Sequence, residues 1–114
     1  LSHSVINVSL LRTRGQFYQE HKNDSISNLY NLEIANKGNE DMNLHLILKS
    51  HKGRIEVIGH QEFHLAPGDK QKGQLFIYLA GNKIKHKMVT LEVDIYDGEK
   101  WLKSIQTSFM GPIQ

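Results

Sequence analysis

The sequence predicts an all-β protein, an antiparallel sandwich of two sheets built from seven to eight strands. Three observations predict it. Apolar and polar residues alternate with period two in nearly every apolar run. The breaks between the runs carry turn chemistry, including "NKGNED" (36–41), "APGDK" (66–70) and "YDGEKW" (96–101). No amphipathic helical pattern extends beyond about two turns, so no helix is available for parallel crossovers.

Taken in order, "SVINVSLL" (4–11) is a first strand with a ragged pattern. The connection "RTRGQFYQEHKND" (12–24) is long for a compact domain and holds room for a short edge strand at "QFYQE". "SISNLYNLEIAN" (25–36) sets Tyr30, Leu32 and Ile34 on one face, with Asn28 and Asn36 at the two ends of that face. "MNLHLILK" (42–49) sets Met42, Leu44, Leu46 and Leu48 inward. "RIEVIG" (54–59) and "QEFHLA" (61–66) are short strands separated near Gly59. In the turn between 66 and 70, Pro67 presets φ and Gly68 supplies the positive φ of a type II turn. "GQLFIYLA" (73–80) is nearly continuously apolar, which predicts that both of its faces are covered. "MVTLEVDIY" (88–96) sets Val89, Leu91, Val93 and Ile95 inward, and the Asp97-Gly98 pair marks a hairpin into "KWLKSIQTSF" (100–109). Residues 1–114 are read as a single domain.

Composition narrows the chemistry. The chain has 114 residues, no cysteine and a net charge of +2 from fourteen Lys and Arg against twelve Asp and Glu. Lack of cysteine excludes disulfides, thiolate metal sites, iron–sulfur ligation and cysteine nucleophiles within these residues. Small net charge with dispersed basic residues argues against nucleic acid as a partner. No apolar run approaches the ~20 residues of a membrane-spanning helix. No signal peptide is visible, since Leu1 begins directly with strand-like sequence, and the lack of an initiator Met leads to the expectation of a fragment of a longer protein.

Candidate sites are few. Seven histidines is a high number, but His60 and His64 on one strand face would stand about 13 Å apart, too far for one metal. His86 and Met88 share a face and form a pair suited to copper, although two ligands do not define a site. No nucleophile elbow or phosphate loop is present, and Asp94 and Asp97 make no convincing carboxylate pair, so catalysis by this chain is not expected. The basic loop with Lys83, Lys85, His86 and Lys87 could meet an anionic surface, but no aromatic platform accompanies it and a solvated sandwich-end loop is the favoured reading. Arg12 and Arg14 could pair with carboxylates inside the domain or touch a neighbouring one. Asn7 and Asn23 begin glycosylation sequons of low specificity.

Several segments occur in a telling order: "RTRG" after the first strand, "DSISNLYNLEIANK", "GRIEVIG", the "LAPGD" turn and a terminal "SFMGP". This succession resembles the C-terminal immunoglobulin-like domain of the FixG/CcoG family, the cytochrome c oxidase accessory proteins. Arg12, Arg14, Asn28, Tyr30, Leu32, Ile34, Asn36, Pro67, Gly68, Phe109, Gly111 and Pro112 carry the resemblance. Thr13 stands where the family usually has Asp, and Ser25 where it has Gly. The resemblance implies a parent protein in a bacterial inner membrane, with iron–sulfur clusters in a missing N-terminal part and this domain on the periplasmic side. It further implies a role in assembling cbb-type haem–copper oxidases through copper handling or reduction. Partners would be oxidase subunits, assembly factors or the protein's own membrane part. No catalytic residue and no cofactor is carried onto this domain.

Two functional expectations follow. The first is a non-enzymatic docking or scaffold domain. The second is a stand-alone adhesion or carbohydrate-binding sandwich, which requires an exposed aromatic platform from Phe17, Tyr18 and Trp101. Asn28 and Asn36 are expected to bond to loop backbone at the ends of a core strand, with Asn36 holding the turn at Gly38, because a buried amide must find partners.

Overall fold

The computed structural model describes residues 5–112. Strands β1 (Ile6–Arg12), β2 (Gln19–Glu20), β3 (Ser25–Asn36), β4 (Met42–Leu48), β5 (Gly53–Val57), β6 (Phe63–Leu65), β7 (Lys70–Ala80), β8 (Met88–Asp97) and β9 (Lys100–Met110) follow one another, with one 3-10 turn at Gly81–Lys83. The strands form two sheets. In the first the order is β1-β3-β7-β5, with β2 also on β3; in the second it is β6-β4-β8-β9. Every pairing is antiparallel. The expected sandwich is therefore the observed one. The strand number rises to nine because "QFYQE" contributes the two-residue β2.

Alternation becomes burial. Ile26, Tyr30, Leu32 and Ile34 of β3 share the inner side of the first sheet with Leu75, Ile77 and Leu79 of β7, with Tyr30 opposite Leu75 and Ile26 opposite Leu79. Leu44 and Leu46 of β4, Leu91, Val93 and Ile95 of β8, and Phe109 of β9 face them from the second. Strand β7 begins at Lys70, earlier than its apolar run suggests, because it pairs with β3 all the way to Ala35. Both of its faces were expected to be covered. The inner face is, whereas Phe76 and Tyr78 on the outer face are only half-buried.

The turns behave as their residues dictate. Gly68 sits at φ 84° and the Asp69 N–H donates to the Ala66 carbonyl at 3.0 Å, the geometry of a type II turn with Pro67 in its second position. The Gly98–Glu99 turn joins β8 to β9, and the Asp97 carboxylate accepts the Asn43 N–H at 3.0 Å. A bulge between Ile95 and Tyr96 places Leu102 as an extra residue in β9; no sequence signal marked it.

The molecule is about 47 Å long, and its two ends are distinct. At one end lie the start of β1, the loop after Asn36, the Ala66–Asp69 turn and the β8–β9 hairpin. At the other lie the β2–β3 hairpin, the Gly81–Lys83 turn and the end of β9. Asn36 marks the first end and Asn28 the second.

Candidate functional site

Each asparagine of β3 ties one end of the sandwich. Asn36 is fully buried. Its Nδ2 donates to the carbonyls of Glu40 (2.8 Å) and Leu65 (3.0 Å), and its Oδ1 accepts the Gly38 N–H at 2.8 Å. Its backbone N–H donates to the Asp69 carbonyl, and its carbonyl accepts the Gly68 N–H, both at 2.9 Å. One residue thus joins β3, the following loop, β6 and the Pro67-Gly68 turn. No other common side chain offers a carbonyl and two N–H donors from so short a stem except the longer Gln.

Asn28 acts as a piece of backbone. Its Nδ2 donates to the Met110 carbonyl at 2.9 Å and its Oδ1 accepts the Met110 N–H at 2.7 Å. Two residues on, the buried Tyr30 hydroxyl donates to the Ser108 carbonyl at 2.6 Å. Arg12 Nε donates to Ser108 Oγ at 3.1 Å, and Thr107 Oγ1 donates to the Leu10 carbonyl at 2.9 Å. These bonds stitch the β1–β3 edge of the first sheet to β9 of the second. Burial pushes the Tyr30 phenol well above its ordinary value, against the smaller opposing pull of the Arg12 guanidinium. Phe109 fills the core beside this seam, and the Gly111 N–H donates to the Lys87 carbonyl at 2.9 Å. A Cβ on Gly111 would stand 2.6 Å from Ile84 Cγ2, so the close approach of the chain to Ile84 requires glycine. Pro112 follows, half-buried.

Apart from Arg14, the polar residues that carry the family resemblance are therefore committed to architecture. Arg12 bonds a serine rather than a carboxylate. Arg14 is exposed and makes no hydrogen bond or ion pair among the described residues.

What remains for function is a five-residue excursion. Thr13 still bonds the Leu29 carbonyl, and Gln19 already pairs with Ser27. On β3 a single residue, Asn28, separates those two points; on the facing segment residues 14–18 do. The extra chain loops over the outer face of the first sheet and exposes Phe17 (66%) and Tyr18 (40%). Between it and the sheet lies a pocket of about 160 Å³ lined by Gln16, Phe17, Tyr18, Ser27, Leu29 and Phe76, with Gln19 at its side. Beyond Phe76 the ridge continues in Tyr78, ring centroids 6.1 Å apart. Arg54 lies 3.9 Å over the Tyr78 ring, and His21 Nε2 bonds Ser27 Oγ at 2.8 Å.

The long connection marked this segment in the sequence; Leu29 and Phe76 were missed. Their signal was available, since Leu29 is apolar at an outward position of an alternating strand and Phe76 lies in the nearly continuously apolar run 73–80.

The other candidates do not assemble. Trp101 is exposed (52%), but on the second sheet, where its Nε1 donates to Asp94 Oδ1 at 3.2 Å and Ser104 also bonds Asp94. The three-ring platform expected from Phe17, Tyr18 and Trp101 is therefore divided between opposite faces. His86 and Met88 are exposed, and among the described residues no group of three or more His, Cys, Asp or Glu could hold a metal ion. His60 and His64 line an open hollow of about 520 Å³, where both ring nitrogens of His60 are engaged, by the Glu62 carbonyl and by Gln71.

Comparison with known proteins places this architecture. A solved FixG-related protein from Vibrio parahaemolyticus superposes with a TM-score of 0.75 at 17% identity, covering 96% of this chain and 98% of that one. A conjugative transposon lipoprotein from Bacteroides eggerthii superposes with a TM-score of 0.51 at 12% identity, covering 94% of this chain and 98% of that one. At these identities the likeness is one of fold. No curated protein matches the chain. The family model described as the "IG-like fold at C-terminal of FixG, putative oxidoreductase" matches residues 2–112. The chain belongs to this family of FixG C-terminal immunoglobulin-like domains.

Proposed function

We propose that this chain is the non-enzymatic docking domain of a membrane-bound, FixG-type accessory protein. In this reading it stands on the periplasmic side of a bacterial inner membrane. The iron–sulfur and copper chemistry of cbb-type oxidase assembly belongs to the rest of the parent protein. The observation that carries the reading is the match to a FixG C-terminal domain over nearly the whole chain. The geometry is consistent with it. The polar family residues are spent on holding strands, and the described residues present no catalytic constellation.

Orientation follows from the family's C-terminal position. The parent protein would attach at the Asn36 end, where β1 starts. The excursion would then lie towards the far end, free to meet an oxidase subunit or an assembly factor. Deleting this domain from the full-length protein tests the reading. The membrane part should remain inserted with its iron–sulfur spectrum intact, while the amount of assembled cbb-type oxidase falls. Unchanged oxidase at equal levels of the truncated protein would overturn it.

A further inference from the structure

The docking surface itself can be assigned an occupant. The geometry points to the pocket beneath residues 14–18 as a seat for a proline-rich segment of a partner protein, in the polyproline II conformation and flanked by an acidic residue. This inference rests on the docking reading above.

Several features select that occupant. The excursion spends five residues where β3 spends one, and it leaves a phenyl ring two-thirds exposed. Phe17 adjoins Tyr18, Leu29 and Phe76, so the exposed apolar surface here is contiguous rather than one scattered residue. No charged side chain lines the pocket, so the group seated in it is uncharged. Three rings, Phe17, Tyr18 and Phe76, give it apolar walls.

Hydrogen-bonding capacity is unspent. The side chains of Gln16 and Gln19 and the Tyr18 hydroxyl make no hydrogen bond among the described residues. They are donors suited to free carbonyls. A polyproline II segment presents such carbonyls, because it has no internal hydrogen bonds. Strand β3 itself offers no edge to a partner strand here, since β2 flanks it on one side and β7 on the other.

Aromatic grooves of this kind are a known mode of proline recognition. Arg14, unpaired and in the same excursion, supplies the positive charge for an acidic neighbour of the prolines.

Amide-resolved NMR titration of the isotopically labelled 114-residue chain tests the inference. The probe is an oligoproline peptide flanked by glutamates. Its controls are the same peptide with alanines for prolines, and chitotriose as a soluble glycan. Saturable shifts should be confined to Arg14–Gln19, Ser27, Leu29 and Phe76. Phe17→Ser should weaken binding about tenfold or more. Trp101→Ser, on the opposite sheet, should leave it unchanged. Arg14→Ser should weaken it less and reduce its salt dependence.

Equal shifts with the alanine peptide, no shifts with the proline peptide, or a response to chitotriose alone would each overturn the inference. Because Phe17 is exposed, its serine variant keeps the core, and unchanged amide positions elsewhere check this. Loss of oxidase on domain deletion, combined with no proline binding, would reject the occupant while leaving the docking reading in place.

Discussion

Tyr30 shows how one residue can be read twice. In the sequence it is an apolar member of an alternating strand; in the fold its hydroxyl also crosses to Ser108 of the other sheet. Its buried phenol holds its proton more tightly than an unfolded tyrosine does. The unfolded phenol ionises above about pH 10, and the native one does not until higher pH. Stability contributed by the neutral phenol is complete below the unfolded value and falls as pH rises from there. Tyr30→Phe should cost about 1 kcal/mol at neutral pH for the lost bond. It should also flatten the decline in stability between about pH 10 and 11. Denaturant unfolding across that range reads both effects, and parallel decline of the two proteins would exclude Tyr30 as the cause. The role of Arg12 was less legible. Its charge suggested a carboxylate, and its actual partner, Ser108, is ninety-six residues away, a separation that no local pattern encodes.

At the scale of elements, the ends of β3 set the register of everything around it. Strand β3 pairs with β1, β2 and β7, and Asn36 fastens its last residue to β6 and to two turns. Asn36→Leu would leave the buried Leu65 carbonyl, the partly buried Glu40 carbonyl and the Gly38 N–H without their partner. We expect a loss of about 3 kcal/mol, measured by urea unfolding. An unchanged unfolding midpoint would refute this account of the residue. Amphipathic alternation made most strands legible, because a half-buried strand must alternate and its turns need Gly, Pro, Asn or Asp. The asparagine positions were legible for a related reason: an amide at the end of an apolar face has few places to go. Strand β2 and the bulge before Tyr96 were harder. A two-residue pairing has no period, and an inserted residue leaves the local composition unchanged. The early start of β7 at Lys70 was hidden because its first residues are polar and pair with the exposed end of β3.

For the whole molecule, the division of labour is spatial. Family-marked polar residues other than Arg14 hold the two ends and the seam between the sheets. The outer face of the first sheet carries the unspent groups: Phe17, Tyr18, the two glutamines and Arg14. Composition could not reveal that division, since Phe17, Tyr18 and Trp101 look equivalent until the fold places them on two faces. One measurement tests the central claim, that this outer face rather than the family-marked scaffold contacts the partner. In the bacterium that encodes the protein, Phe17→Ser and Tyr18→Ser are introduced together into the full-length chain, and assembled cbb-type oxidase is quantified by its haem spectrum against the level of the variant protein. The account predicts a folded domain at wild-type abundance and a clear fall in assembled oxidase, with Trp101→Ser without effect. Oxidase at the wild-type level in the double variant would contradict it.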